Sequence, residues 1–316
     1  MNVLVTGGAG FIGSYVVQEL VRNGHEVVAY DIQIAENSLD HVLNDTERRR
    51  VNLVRGNITD AEKFAQTLKA FAADHIAHLA SPLSSETERD PESAIRNMIL
   101  GQQVVLQAAL QGQVKKVVWA SSTGVYGERK QYSVLPLPND ARHYPTYLYG
   151  ACKSFNEYLS AYYTQKYGLD TLGLRFPLVY GMGRMRGNSL HFVDLIEKPA
   201  LGKPCRVPMA DAVYDWLYAA DAAALVLQAL STPMTRTRCF NVGGEFATMR
   251  RAVELIQEWL PDAVFELEPG EYPIVEEYDC SALAEEVGFT PSWSLEKGLR
   301  KCLDTVRERV GLPALR

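Results

Sequence analysis

Asn2-Val3-Leu4-Val5-Thr6-Gly7-Gly8-Ala9-Gly10-Phe11-Ile12-Gly13 opens the chain with a short apolar run that passes at once into a glycine-rich turn and an apolar-periodic stretch reaching Leu20-Val21. That order reads as strand, turn, helix. Glycine at 7, 10 and 13 permits a tight turn, close approach of the backbone to a pyrophosphate, and close helix-strand packing, with the helix N-terminus facing the anion. Asn23-Gly24 closes the helix, and Glu26-Val27-Val28-Ala29-Tyr30-Asp31 reads as a second strand ending in a carboxylate eighteen positions after Gly13. A carboxylate there accepts hydrogen bonds from the adenosine ribose and repels a 2′-phosphate. The expected cofactor is NAD rather than NADP.

Outward from this unit the same rhythm continues. Strands are expected at 51–55, 75–80 and 116–120, with helices at 61–70 and 94–110 between them. Strands alternating with helices make an α/β, Rossmann-type, doubly wound parallel sheet. Gly24, Gly112 and Gly168 each fall between a helix and the next strand, where a left-handed cap is needed. A sixth strand follows at 170–176, and after Pro177 the composition turns to Gly and Pro. The expected division is an NAD-binding domain over 1–176, rejoined by 221–243, and a smaller substrate-binding lobe from 177–220 and 244–316. Helix 222–230 and strand 239–242 would return to the sheet. Two C-terminal helices, 248–260 and 295–309, and short strands near Val264 and Val275 would complete the lobe.

The bulk numbers narrow the function. The chain has 316 residues, 47% hydrophobic and 22% charged, with net charge -6. An acidic balance opposes nucleic acid as the main partner. Arg48-Arg49-Arg50 is the sharp basic run, and it reads as a solvated face rather than an NADP phosphate clamp. Five scattered cysteines show no metal-ligand spacing, so no metal is expected and the thiols are expected reduced, in the cytoplasm. No signal peptide or run of membrane length is read.

Candidate chemistry lies at two places. Ser121-Ser122-Thr123 ends the fifth strand, on the edge where open α/β sheets place their ligands. Tyr149 and Lys153 stand four apart, which on a helix puts phenol and ammonium on one face. Tyr-x-x-x-Lys also occurs at Tyr126/Lys130, read as a loop, and at Tyr162/Lys166, read as the far side of the same helix. Cys152 and His78 are read as packing residues.

Gly7-x-x-Gly10-x-x-Gly13, Asp31, His78-Leu79-Ala80, Asn97, Ser122, Val125-Tyr126-Gly127, Tyr149-x-x-x-Lys153 and Arg175-x-Pro177-x-Val179-Tyr180-Gly181 together resemble the extended short-chain dehydrogenase/reductases of the NAD-dependent epimerase/dehydratase type. The resemblance implies that Ser122 hydrogen-bonds the reacting oxygen, that Tyr149 is the general acid/base, and that Lys153 holds the nicotinamide ribose and favours tyrosinate. It further implies cofactor contacts from the glycine turn with Phe11 and Ile12, from Asp31, Asn57 and Ile58, from Leu79, Ala80 and Ser81, and from Asn97 and Pro177. The Asn57 amide oxygen would accept from the adenine amino group. Substrate contacts are expected from Ser81, Thr123, Arg184 and Tyr214. A homodimer packed through helices 94–110 and 149–167 is also implied.

Departures from the family pattern bear on the substrate. Thr123-Gly124 stand where dehydratases carry an Asp-Glu pair, which disfavours elimination. Leu178, Tyr214 and Glu268 stand where sugar-nucleotide enzymes carry an Asn and two Arg that hold the diphosphate, with only Arg184 and Arg186 nearby to compensate. The expected activity is hydride transfer between NAD and a secondary alcohol of a small, polar, non-nucleotide substrate. A nucleotide-sugar epimerase that retains NAD is the second reading, and a non-catalytic NAD(H)-binding sensor the third.

Overall fold

The computed structural model describes all residues except 186, 188–189, 271–273, 276 and 316. Arg186 therefore lies outside the described residues.

The strands are β1 (Asn2–Thr6), β2 (Glu26–Asp31), β3 (Val51–Arg55), β4 (His75–His78), β5 (Lys116–Ser122), β6 (Thr171–Phe176), β7 (Leu178–Tyr180), β8 (Cys205–Val207), β9 (Val213–Tyr218), β10 (Cys239–Asn241), β11 (Glu245–Thr248) and β12 (Phe265–Leu267). Seven of them form one sheet in the order β10-β6-β5-β4-β1-β2-β3, every pair parallel. Helices cover both faces, so the central strands are mostly apolar; Val3, Leu4 and Val5 are fully buried. One face packs against helices Phe11–Arg22 and Ala219–Ser231, the other against Ala61–Ala70, Gly101–Gln111 and Leu148–Tyr167. The chain runs outward from β1 through β2 to β3 and then returns to lay β4 on the other side of β1. That reversal opens a crevice beyond the strand ends, where ligands of such sheets bind.

The second unit joins the sheet β11-β9-β7 and the pair β12-β8 to helices Leu190–Ala200, Met249–Trp259 and Leu295–Arg309 around Phe192, Tyr214 and Trp216. Asp221 clasps it to the large sheet. Its buried carboxylate accepts from Ser292 N at 3.1 Å, Ser292 Oγ at 2.9 Å and Trp293 N at 3.0 Å.

Several expected boundaries change. β4 ends at His78 because its partner β1 ends at Thr6, opposite it. The 94–110 helix is broken into Pro91–Ile95, a π-helical turn at Arg96–Leu100 and Gly101–Gln111. Gly24 and Gly168 take positive φ, but Gly112 does not; Gln113 takes φ 52 in its place. β10 pairs with β6, as the return at 221–243 requires. Around Val275 the structure has an isolated bridge, Glu128 with Ile274, rather than a strand. An unread helix, Ser281–Val287, seats Leu283 and Val287 in the large core, so this part of 244–316 packs on the sheet rather than in the lobe. Its seven residues are too few to show a helical period. Among the described residues no helix is long and apolar enough to cross a membrane.

A methyl group added at Gly13 would stand 2.0 Å from the Gly7 carbonyl oxygen. Gly13→Ala is expected to cost about 1–3 kcal/mol, typical of overpacking, read as a lower urea midpoint at unchanged slope. An unchanged midpoint would mean that the turn relaxes freely.

Candidate active site

The crevice is lined first by the glycine turn. Gly7 takes φ +68, donates its N–H to Tyr30 O at 2.9 Å, and approaches β4 so closely that a Cβ would lie 2.7 Å from Ala80 N. Gly10 caps the following helix without a side chain, so the first-turn N–H groups stay available for an anion. Phe11 and Ile12 form that first turn and pack on the large core. Asp31, at the end of β2, accepts Ala9 N at 3.1 Å and Gln33 N at 3.0 Å, which fixes its carboxylate beside the turn. These residues fit a dinucleotide: a side-chain-free cradle, a helix N-terminus and a carboxylate at the ribose position. The basic run is spent elsewhere, Arg48 on Asp40 and Arg50 on the Val21 carbonyl.

Of the remaining expected cofactor residues, Leu79, Ala80 and Ser81 follow β4 beside Gly7, Pro177 follows β6, and Ile58 is buried against Gly101. Asn97 lies in the π-helical turn, with its amide nitrogen bonded to Ser93 O at 2.8 Å. Asn57 departs from expectation. Its side-chain oxygen already accepts Thr59 N and Thr59 Oγ1, both at 2.9 Å, so the lone pairs expected to meet adenine are spent on the turn.

Helix Leu148–Tyr167 carries Tyr149 in its first turn and Lys153 one turn on. Gly150 lets this helix close on the loop after β5, since a Cβ would sit 2.3 Å from Gly124 O. Ser122, at the end of β5, lies close enough to the Tyr149 phenol to lower its pKa and accepts Gly124 N at 3.1 Å. Lys153 is 4% exposed, donates to Ala120 O at 2.6 Å, and stands 5.4 Å from the Tyr149 ring centre. The strand end and the helix thus meet over one site, as expected. The other two Tyr-x-x-x-Lys pairs serve elsewhere: the Tyr126 hydroxyl is buried on Asn241, and Lys166 donates to Tyr162 OH on the surface.

Burial dominates the electrostatics. It pushes the Tyr149 phenol up to about 12, against Ser122 and the nearby Arg184 charge, which lower it. The same burial pulls the Lys153 ammonium down to about 8. The protein's own groups therefore hold the phenol protonated; making it a base requires further positive charge in the site.

On the substrate side, Thr123 is buried with Oγ1 directed to Phe176 O at 3.4 Å. Ser81 Oγ donates to Pro82 O at 3.1 Å. Arg184 lies over the Phe11 ring at 4.5 Å, close enough to Tyr149 for its charge to bear on the phenol. Tyr214 is a correction. It is 5% exposed and packs edge-on against Phe192 in the lobe core, because β9 turns that face inward. Two residues given no role in the sequence analysis, one of them within the Arg175-x-Pro177 motif, are paired next to Ser121. Arg175 grips Glu157 with Nη2–Oε2 at 2.7 Å and Nε–Oε1 at 2.9 Å, and Glu157 accepts Ser121 Oγ at 2.6 Å. Glu157 stands four beyond Lys153, so its place on the catalytic face was readable; its partner was not.

Lys153→Met is expected to lower turnover by ~10²–10⁴-fold, the range for a disabled acid/base unit. It should not destabilise the fold at neutral pH. The folded state lowers this ammonium from 10.5 to about 8, so burying the charge costs stability below about 8 and ceases to cost it as pH approaches 10.5. Melting temperatures of the two proteins should converge over that interval, the variant starting level or higher.

The NAD-dependent epimerase/dehydratase family model matches residues 3–243. The dTDP-glucose 4,6-dehydratase of Salmonella typhimurium LT2 is 28% identical over 346 aligned positions, covering 96% of this chain and 92% of that protein. UDP-glucose 4-epimerase of Thermotoga maritima, solved with UDP-glucose, matches with TM-score 0.86 at 28% identity, covering 98% of this chain and all of that one. L-threonine dehydrogenase of Cupriavidus necator shares the fold, with TM-score 0.83 at 21% identity over 95% of this chain and 98% of that one. A match across the whole large sheet, on the residues that build the dinucleotide seat, makes this chain a member of the NAD-dependent epimerase/dehydratase family, enzymes of the extended short-chain dehydrogenase/reductase type.

Proposed function

We propose that the chain is an NAD-dependent dehydrogenase that oxidises a secondary alcohol of a small, polar, non-nucleotide substrate. The observation that carries this is a Ser122, Tyr149 and Lys153 set together with three positions, expected to hold a diphosphate, that carry no cation. Leu178 is aliphatic, Tyr214 is buried in the lobe, and Glu268 is a carboxylate ion-paired with Arg206. A diphosphate would forgo charge-assisted bonds worth ~1.5–3 kcal/mol each.

In this reading Ser122 hydrogen-bonds the reacting oxygen and Tyr149 removes its proton, while Lys153 holds positive charge beneath the phenol. NAD held by the glycine turn and Asp31 would supply the hydride acceptor and the positive ring charge that Tyr149 needs to serve as a base. The balance is one ketone, one NADH and one proton leaving through Tyr149.

The test is NADH formation with free sugar acids, polyols and hydroxy amino acids. Production with at least one class supports the reading. Interconversion of a UDP-sugar with no net NADH, by protein that purifies with NAD bound, would replace it with epimerisation, a reading favoured by the full-length likeness to UDP-glucose 4-epimerase.

We also propose a homodimer through the helices that flank the site. Ile95, Leu100, Phe155 and Tyr158 are exposed on them, Tyr158 by 71%, and together form an apolar face. Sedimentation should give a dimer for the native protein and a monomer for Tyr158→Arg.

A further inference from the structure

Arg184 sits in the turn after β7, where Gly183 takes φ +88 and its carbonyl accepts the Ser38 hydroxyl at 2.8 Å. The guanidinium is stacked on Phe11 at 4.5 Å and donates through Nη2 to Val179 O at 2.8 Å. Ring and carbonyl hold the side chain in place, unlike a solvated loop cation. Arg175 and Arg238, which are also withdrawn from water, each have a carboxylate: Arg175 has Glu157 at 2.7 Å, and Arg238 has Asp170 at 3.1 Å. Arg184 has none within ion-pair distance among the described residues, and the group whose charge bears on it is the Tyr149 phenol. Burial accordingly pulls its pKa down to about 10. A desolvated cation without a counter-ion is costly until a ligand supplies the anion.

We propose that Arg184 anchors a carboxylate of the substrate, so that the substrate is a hydroxy acid or sugar acid whose reacting hydroxyl meets Tyr149 and Ser122 while its acid group pairs with Arg184. This rests on the dehydrogenase reading of the same site. A planar guanidinium presents two parallel N–H groups that match a carboxylate. Its single charge balances one negative charge. A phosphate or diphosphate calls for more cations, and Leu178, Tyr214 and Glu268 supply none.

The experiment pairs acids with their neutral counterparts: lactate against propanediol, glucuronate against glucose, galacturonate against galactose, with glucose phosphate as a further anion. Each is titrated calorimetrically into the protein saturated with NADH and assayed with NAD. At least one acid is expected to bind ~100-fold tighter than its neutral partner, the worth of a bidentate charged pair. R184M should remove that preference and R184K should restore part of it, with NAD affinity unchanged in both. Equal binding of acids and neutral compounds, no binding by any acid, or preference for the phosphate would overturn the anchor. Loss of NAD affinity in R184M would also overturn it, by placing the cofactor pyrophosphate on Arg184. Arg184-dependent binding of an acid without NADH formation would keep the anchor and remove the dehydrogenase reading; NADH from neutral alcohols alone would do the reverse.

Discussion

The buried pair between Arg175 and Glu157 is the constraint on which the rest of the active site depends. Both side chains are below one-tenth exposed, 6% and 9%. The pair joins the middle of helix Leu148–Tyr167 to β6, reaches β5 through Ser121, and reaches β10 through the Asn241 side chain, which accepts from Arg175 at 3.0 Å. Tyr149, Lys153 and Glu157 are spaced by four, so fixing Glu157 fixes the rotation of the helix and with it the direction of the two catalytic side chains. Removing one partner of such a pair leaves an uncompensated buried charge, at a cost of about 3–5 kcal/mol. The intact pair is further supported because Arg175 Nη1 also reaches Tyr126 OH and Asn139 O, each at 2.7 Å.

Above this floor the site is built to be incomplete without its ligands. Burial raises the phenol of Tyr149 and lowers the ammonium of Lys153, each toward its neutral form. Dry surroundings strengthen whatever charge later arrives, since the same low dielectric that penalises an isolated ion magnifies its attraction to a partner. The same logic applies to the half-buried guanidinium of Arg184.

The scaffold is shared with UDP-glucose 4-epimerase of Thermotoga maritima, and this chain departs from the family pattern in charge at a few positions. Where the family pattern has an asparagine and two arginines, this chain has a leucine in β7, a tyrosine packed in the lobe core, and a glutamate held by Arg206.

The strands and main helices of the large sheet, its glycine turn and the shared helix face of Tyr149 and Lys153 were legible in the sequence alone, whereas β7, β8 and helix Leu190–Ala200 were not. Each legible feature is set by contacts close along the chain: apolar periodicity, glycines where the backbone turns or is approached, and a helical spacing of four. The π-helical turn at Arg96–Leu100 and the Ser281–Val287 helix were not legible, because neither leaves a period that a local pattern can display. Nor were the role of Tyr214, the engaged oxygen of Asn57, the Arg175–Glu157 pair, or the uncompensated charge of Arg184. A residue's partners in these cases lie on other elements, or its exposure depends on which face a distant segment covers. Spacing along the chain determined which residues this protein has for its chemistry; packing across it decided which of them are buried, paired and left wanting a charge.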